Sequence, residues 1–454
     1  MKSSWGIKSA PLFFMSITSC LFAEVSSSDH ATVSVYAIHI PTGKVLIDEN
    51  SDKSLMPSSC LKVVTTAAAL EILGAESHFE TRLEYDGEID ADGALHGNIY
   101  IQGGGDPCLG SDRIASSLSW KKQLEVWALA IENSGIKAID GSIIGDATLW
   151  ETALAVPSWC WEDLGNYYGA GASALSFHEN AYTLFFKPGK KVGDKTVIIR
   201  TDPAVPSLSF QNEVKTGPIG SGDQACIYGM EFSPMQYVRG TVPAGVSEFS
   251  IKGAIPDPSS FCACLLTKTL EEKGIAIGGN NKPSKNKRSS LHTTISPTLA
   301  EIVYWTNQKS INLYAEHLLK KMGEVRANEG STIAGIKVVT EYWKSQEIDI
   351  EGMNMADGSG LSRKNLITTK QLVSVLLKMK KSSQFPVFFD SLPKKSDVIS
   401  AKNGSMSLAK GYTGYAGDIA FAIIINQCSD ANVMNQIIEQ TFAKLENLAK
   451  SSKK

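Results

Sequence analysis

The pattern of apolar and polar positions divides the chain into stretches of different texture. Residues 31–48 combine β-branched and aromatic positions around a Pro-Thr-Gly turn, which predicts a β-hairpin. Apolar residues then recur at helical spacing between Pro57 and Gly74, which predicts a helix. From about residue 80 to 290 short apolar runs are broken by Gly, Pro and Asp, so we expect a mostly-β region there.

Helical periodicity resumes after this region. It predicts helices over 298–322 and 366–381, a strand over Asp418–Ile425 and a C-terminal helix near 431–449. The basic run from Lys285 to Arg288 is interpreted as a solvated linker. The order is therefore two strands and a helix, a long insertion, helices, and then strands with a final helix.

Composition narrows the class of protein. Of 454 residues, 43% are hydrophobic and 20% charged, as in soluble globular proteins, and the net charge of -3 gives no basic excess for nucleic acid. The eight cysteines include no C-x-x-C, and the seven histidines show no metal-ligand spacing. We expect no metal, no cofactor, and mostly buried thiols, with at least one left unpaired if Cys20 is removed or modified.

The first 23 residues are typical of an export signal. Lys2 and Lys8 precede an apolar stretch from Pro11 to Ala23 that is too short to anchor a protein in a bilayer. Cleavage after Ala23 is one interpretation; a lipoprotein site with Cys20 as the lipidated residue and an uncleaved signal are the alternatives. The later sequence has no run of 18 apolar residues, so we predict an exported periplasmic or envelope protein with no transmembrane segment in its mature form.

Ser59 and Lys62 are the first candidates for chemistry. Residues three apart on a helix share one face, and a hydroxyl at a helix start lies near the positive end of the helix dipole. Serine is a weak nucleophile until a base removes its proton, and a lysine whose pKa is lowered by burial or a nearby cation can be that base. The spacing alone is common, but its place after a hairpin and at the start of an Ala-rich helix favours a nucleophile and its base.

Two further clusters fit the same chemistry. Ser310 and Asn312 precede a helical pattern; this serine can pass a proton to a leaving amine, and the Asn amide can hold a substrate carbonyl, although a polar helix cap is the alternative. Lys402 can attract a C-terminal carboxylate. Gly404 lets a substrate backbone approach, and the N–H groups of Ser405 and of the nucleophile can form an oxyanion hole.

The order S-x-x-K, S-x-N, K-x-G resembles the signature of penicillin-binding proteins and serine β-lactamases. The chain is more similar to the branch of low-molecular-mass D-Ala-D-Ala carboxypeptidases and endopeptidases (the PBP4-like, peptidase S13 type). The stretches that carry this closer resemblance are 100–107, 161–164 with 167–170, 173–176 and 357–363.

The resemblance implies an α+β fold, with a β-lactamase/transpeptidase-like catalytic domain of antiparallel sheet and flanking helices formed by 24–80 and 291–454. Residues 81–290 would form a large mostly-β insertion of one or two subdomains. Ser59 would attack the carbonyl of the penultimate D-Ala of peptidoglycan stem peptides, and β-lactams would acylate it as covalent inhibitors. The bond cleaved would be D-Ala-D-Ala, or also the cross-link between D-Ala and diaminopimelate.

The resemblance also implies a pocket for the side chain of the third stem residue. Its members would be Asp163 and Tyr168 from the insertion and Arg363 from the catalytic domain. Meso-diaminopimelate ends in an ammonium and a carboxylate, so one acid and one arginine suit it. The alternatives are a turn or cap acid for Asp163 and core packing for Tyr168.

One residue departs from the family pattern. Asn403 stands where the family has Thr or Ser, whose hydroxyl normally donates to the substrate carboxylate; an Asn amide also donates. The literal Lys-Thr-Gly at 215–217 lies inside the insertion and is interpreted as a chance match. Asn403 leaves open a weak or inactive wall-binding scaffold, and the motif set alone also fits a serine β-lactamase.

Overall fold

The computed structural model describes residues 30–279 and 287–451. The strands are β1 Thr32–His39, β2 Lys44–Glu49, β3 Glu80–Tyr85, β4 Glu88–Ile89, β5 Ala94–His96, β6 Ile99–Gln102, β7 Ala138–Ile139, β8 Ile143–Asp146, β9 Ala181–Lys187, β10 Val197–Asp202, β11 Ser209–Asn212, β12 Lys215–Gly217, β13 Gln224–Tyr228, β14 Met235–Pro243, β15 Phe249–Ala254, β16 Ala276–Ile277, β17 Ser289–Ile295, β18 Ile399–Met406, β19 Ala409–Ala416 and β20 Ile419–Asn426. The helices are α1 Lys62–Leu73, α2 Trp120–Asn133, α3 Trp161–Leu164, α4 Pro258–Glu272, α5 Leu299–Gln308, α6 Asn312–Ala327, α7 Thr332–Ser345, α8 Thr369–Lys380, α9 Phe385–Ser391 and α10 Ala431–Ser451, with 3-10 turns at Ser58–Leu61, Tyr167–Gly169 and His178–Asn180.

A five-stranded antiparallel sheet in the order β18-β19-β20-β1-β2 joins the two ends of the chain. Strand β20 is buried along its whole length, as its unbroken apolar sequence requires of a strand covered on both faces. Helix α10 packs on one face, and the group of α1, α5, α6, α7, α8 and α9 lies on the other. The expected antiparallel sheet flanked by helices is confirmed.

Helix α1 lies at the centre of this domain. Its first nine residues are all buried, including Lys62, because apolar or small side chains surround it on every side. It begins from the 3-10 turn at Ser58–Leu61 and ends at Gly74, which adopts a positive φ of 86°. The predicted helix between Pro57 and Gly74 is confirmed.

The stretch between α1 and α5 forms four small sheets around a second apolar core. Two helices, α2 and α4, pack in that core through buried residues such as Trp127 of α2 and Leu266 of α4. The texture of short strands did not predict these helices, since their apolar faces are short and interrupted by Lys, Glu and Thr.

The insertion leaves and rejoins the catalytic part at neighbouring points. Strands β3 and β17 pair with each other, and Ser296 N–H donates to the carbonyl of Phe79 at 3.0 Å. Both strands extend across the expected limits at 80/81 and 290/291, so the division into domains stays a prediction.

Two predictions from the pattern were wrong. The helix expected over 298–322 is two helices, because Ser310 adopts a left-handed φ of 57° between them. Arg288 is not a solvated linker residue: its guanidinium lies 2.6 Å from a carboxylate oxygen of Asp146 and 3.7 Å from the Tyr100 ring centroid. The other predictions for the later helices and for β20 are confirmed within a few residues.

The expected signal, the alternative anchor at Cys20 and most of the basic run lie outside the described residues. Within 30–279 and 287–451, no helix has both the length and the apolar character that crossing a bilayer requires. The seven cysteines in the same ranges are all free thiols.

Candidate active site

Ser59 lies in the tight turn that starts α1. Ser58 before it has a left-handed φ of 49°, a conformation that is costly for a residue other than glycine and is often retained at functional sites. This bend leaves Ser59 partly exposed while Cys60, Leu61 and Lys62 turn inward. The nucleophile candidate is therefore accessible at the end of a rigid, buried helix.

Lys62 is fully buried directly beneath it. Its Nζ donates to Ser59 Oγ at 3.1 Å, to Asn312 Oδ1 at 2.6 Å and to the carbonyl of Ser359 at 2.6 Å. Burial first, and then the nearby charge of Lys402, lower the pKa of Lys62 well below its usual value. A lysine that loses its proton readily and touches a serine hydroxyl can act as its base.

Ser310 and Asn312 come together with that pair because α5 and α6 are separated by a sharp turn. Lys402 Nζ donates to Ser310 Oγ at 2.9 Å. Asn312 begins α6; its amide oxygen accepts from Lys62, and its Nδ2 donates to the carbonyl of Tyr168 at 2.8 Å. Asn312 thus connects the base to the insertion.

Lys402 lies on the edge strand β18 and is fully buried. Besides Ser310, its Nζ donates to the carbonyl of Asn403 at 2.6 Å. Burial lowers the pKa of Lys402 to about 8. It therefore still carries a positive charge at neutral pH, as a carboxylate-binding group requires.

Strand β18 approaches the start of α1 closely at Gly404. A Cβ there would lie 2.6 Å from the Pro57 carbonyl oxygen and 2.9 Å from the backbone nitrogen of Ser59, so only glycine fits. Ser405 follows at an exposed position. Asn403 is half-buried, and within the described ranges its side-chain amide makes no hydrogen bond, so it is available to a ligand.

The three members of the expected side-chain pocket occupy neighbouring elements. Arg363 pairs with Glu162, at 3.1 Å, and not with Asp163 next to it. Asp163 is half-buried, and its pKa is raised by burial and by Glu162. Tyr168 is partly exposed and packs edge-on against Tyr167. The acid and the arginine are thus both present, but Glu162 already neutralises the arginine.

A cleft of about 620 Å³ runs along the turn at Ser310 between the catalytic part and the insertion. Its wall from the insertion includes Tyr168, Arg113 and Lys252, and Lys309 stands opposite. The sequence did not single out these basic residues, because isolated cations in a loop or strand carry no motif.

The sequence motifs did not include the residues that support Lys62 from below. Glu316 is buried and accepts hydrogen bonds from the N–H groups of Gly358 and Ser359, at 3.1 and 2.8 Å. Asp357 accepts from the indole of Trp159 at 2.9 Å. Glu316, an acid among the apolar positions of α6, was the sequence signal that could have revealed this support.

The literal Lys-Thr-Gly at 215–217 forms β12, which pairs with β14 inside the insertion and contributes nothing to this site. No group of three His, Cys, Asp or Glu suited to a metal ion is present in the part of the chain that the structure describes.

Comparisons with known proteins agree with this geometry. Residues 22–448 match the D-Ala-D-Ala carboxypeptidase 3 (S13) family. A D-alanyl-D-alanine carboxypeptidase from Actinomadura sp. is 27% identical over 87% of this chain and 78% of that protein. The D-alanyl-D-alanine carboxypeptidase DacB from Haemophilus influenzae is 24% identical over 80% of this chain and 76% of its own length.

Solved structures show the same fold. The crystal structure of penicillin binding protein 4 (dacB) from Haemophilus influenzae superposes with a TM-score of 0.77 at 21% identity, covering 92% of this chain and 97% of that one. A complex of the same protein with a β-lactam gives a TM-score of 0.73. With a family match over nearly all of its length and this shared architecture, the chain belongs to the D-Ala-D-Ala carboxypeptidase 3 (S13) family of serine-type peptidases.

Proposed function

We propose that this chain hydrolyses the D-Ala-D-Ala bond of peptidoglycan stem peptides through an acyl-enzyme on Ser59. The observation that carries the proposal is the contact of 3.1 Å between Lys62 Nζ and Ser59 Oγ, with Lys402 hydrogen bonded to Ser310 on the other side. A nucleophile with its base and a second hydroxyl held by a cation are the groups that acyl transfer needs.

In the acylation step, neutral Lys62 accepts the proton of Ser59 Oγ while that oxygen attacks the carbonyl carbon of the penultimate D-Ala. The N–H groups of Ser59 and Ser405 stabilise the oxyanion. The C–N bond then breaks, and Ser310 relays the proton from Lys62 to the leaving amine, so that Ser310 keeps its own proton and Lys62 is neutral again. Lys402 holds the terminal carboxylate, assisted by Asn403.

Deacylation returns the enzyme to its starting state. Water adds to the ester carbonyl and gives a proton to neutral Lys62; the bond to Ser59 Oγ then breaks, and the oxygen recovers that proton from Lys62. The products are the shortened peptide and free D-Ala, and no step requires a metal or an organic cofactor. A β-lactam would acylate Ser59 through the same attack and leave slowly.

We place this activity in the cell envelope, because its substrate is the cell wall. Residues 1–23 would direct export to the periplasm, with a lipid anchor at Cys20 as the alternative to a free protein. The cleft of about 620 Å³ beside Ser310 supports cleavage of the D-Ala–diaminopimelate cross-link as well.

Labelling with a fluorescent penicillin tests the proposal. Stable labelling is expected, with the adduct found by mass spectrometry on the peptide that contains Ser59 and absent from Ser59→Ala. Rapid turnover of the penicillin would instead indicate a serine β-lactamase, and a folded protein that takes no label would indicate a wall-binding scaffold. An adduct on another residue would contradict the role of Ser59.

A further inference from the structure

Glu316 is an acid where the packing would favour an apolar residue. It lies on α6, four residues after Asn312 and therefore on the same face of the helix, and only 1% of it is exposed. Its neighbours along that face, among them Leu313 and Leu319, belong to the main apolar core. A buried carboxylate is costly unless its oxygens accept hydrogen bonds, so its partners indicate why it is there.

Those partners are backbone groups of a single loop. Glu316 Oε1 accepts from the N–H of Ser359 at 2.8 Å, and both carboxylate oxygens lie 3.1 Å from the N–H of Gly358. Among the described residues, no lysine, arginine or histidine forms an ion pair with it. The carboxylate is therefore used to hold a peptide segment.

The other side of that segment holds the base. The carbonyl of Ser359 accepts from Lys62 Nζ at 2.6 Å, and the carbonyl of Gly358 accepts from Thr65 Oγ1 at 2.7 Å. The N–H of Ser359 thus donates to Glu316, and the carbonyl of the same residue accepts from Lys62.

We infer that Glu316 is a positioning residue for the general base: its carboxylate fixes the backbone at Gly358 and Ser359, and the Ser359 carbonyl holds Lys62 beside Ser59. The inference rests on the proposed function, since it assigns Glu316 a part in activating the same serine. Asn312 from the same helix holds another N–H of the lysine, so α6 determines two of its three contacts.

The charge of Glu316 also acts on the lysine. The charged groups that face Lys62 are Lys402 from β18, Asp357 from the loop and Glu316 from α6, together with the neighbouring thiol of Cys60. The cation lowers the pKa of Lys62, and the two carboxylates raise it again against the larger effect of burial. Burial and the adjacent Asp357 raise the pKa of Glu316 itself to about 7.

The test compares the rate of penicillin acylation in Glu316→Leu and Glu316→Gln. Gln keeps an oxygen for the two N–H groups, whereas Leu suits the surrounding apolar core but leaves Gly358 and Ser359 without their acceptor. The acylation rate should fall by at least about tenfold in Glu316→Leu, because the base is misplaced, and stay within about threefold of the wild type in Glu316→Gln. Glu71→Leu is the matched control: Glu71 is a part-buried acid on α1, and its replacement should leave the acylation rate unchanged.

A purely structural acid would lower the melting temperature of the variants without changing the acylation rate. A wild-type acylation rate in a folded, Ser59-labelled Glu316→Leu protein would therefore overturn the inference and leave the proposed function intact. If the variant does not fold, amide hydrogen exchange in the wild type decides. The amides of Gly358 and Ser359 should be strongly protected, and rapid exchange would contradict the inference. Failure of the wild type to label on Ser59 would count against the proposed function instead.

Discussion

Two buried lysines with different partners divide the chemistry of the site at the scale of single residues. In the proposed mechanism Lys62 must be neutral to accept the proton of Ser59, which it contacts, and both burial and Lys402 favour the neutral form. Lys402 contacts Ser310 and must be charged to attract a carboxylate. We therefore expect activity to fall at low pH, where Lys62 is protonated, and at high pH, where Lys402 loses its proton.

The alkaline limit follows from Lys402, whose pKa is lowered to about 8 by burial. As pH rises through about 8, the ammonium loses its proton and no longer attracts the terminal carboxylate, so kcat/KM for a stem peptide should fall. The same peptide with its C-terminus methyl-esterified lacks that carboxylate and should show no such fall. An equal decline for both substrates would assign the limit to another group.

Asn403 should weaken carboxylate binding without abolishing it. Its amide is available, but it reaches a different position from the Thr or Ser hydroxyl of the family pattern. A lost hydrogen bond to a charged group costs about 1.5–3 kcal/mol, or roughly 10- to 150-fold in rate. We expect Asn403→Thr to raise the rate of penicillin acylation, measured by stopped flow. An unchanged or lower rate would show that the Asn already suits this site.

The roles of Asp163 and Arg363 can be distinguished by the choice of substrate. We propose that Asp163 binds the ammonium of diaminopimelate and Arg363 its carboxylate, with Glu162 displaced from the arginine. Asp163→Ala should slow cleavage of stem peptides with either diaminopimelate or lysine at the third position, since both carry the ammonium. Arg363→Ala should slow only the diaminopimelate peptide.

Penicillin lacks this side chain, so its acylation is the control and should be nearly unchanged in both variants. Equal losses on peptide and penicillin would indicate a disturbed insertion. Unchanged cleavage of both peptides would remove the residue from the pocket.

At the scale of elements, the turn between α5 and α6 is held from the insertion. Glu179 accepts two hydrogen bonds from Arg113, one from Ser111 Oγ at 2.7 Å and one from Tyr314 Oη at 2.8 Å. Tyr314 is two residues beyond Asn312. Three consecutive residues, His178–Asn180, have positive φ values, so the chain is bent to bring this carboxylate inward.

Removing the carboxylate should loosen this connection. Glu179→Ala leaves the Arg113 guanidinium and the Tyr314 hydroxyl without their acceptor, and we expect a loss of about 2–3 kcal/mol in the free energy of unfolding. Tyr314→Phe removes one hydrogen bond and should cost about 1 kcal/mol. Chemical denaturation measures both. Equal stability of the wild type and Glu179→Ala would show that the connection contributes nothing.

The same elements show how far sequence reasoning extends. The hairpin and α1 were predictable because their apolar spacing is regular and Gly74 marks an end. The turn at Ser310 was not, because its break in a helical pattern depends on a left-handed serine and not on Gly or Pro. Helices α2 and α4 were missed because their support comes from the surrounding sheets.

At the scale of the whole molecule, residues from the stretch between α1 and α5 and residues around Ser310 line one cleft together. The cleft beside Ser310 joins a second groove through shared walls at Arg113, Glu179 and Lys252. Sequence motifs singled out residues that the structure brings together, Ser59 and Lys62 with Ser310 and Lys402, since such motifs recur in a fixed order. They could not reveal the cleft, which exists only because residues far apart in the chain face each other.

If large substrates bind along this cleft, changes in its wall should affect the cleavage of large substrates more than that of small ones. Lys252 is exposed on the wall of the cleft, and Lys252→Glu should reduce kcat/KM for cross-linked stem peptides by up to about fivefold, as expected for one exposed charge. Penicillin is much smaller than a cross-linked stem peptide, so we expect its acylation to be unchanged. Lys268→Glu, on the outer surface of α4, is the matched control. Equal kinetics of Lys252→Glu and wild type on the peptides would exclude the cleft as their path.

The central sheet has a consequence for how the chain acquires its structure. Strand β1 pairs with β20, so Val35 lies opposite Ile423, with the whole insertion between them in sequence. Contacts between such distant residues slow folding, because a long loop must close before they form. During synthesis, β1 and α1 can pair with the last strands only after these have been made, while the insertion has an apolar core of its own. Ser59 is synthesised early, but it can join Ser310 and Lys402 in one site only when the chain is almost complete.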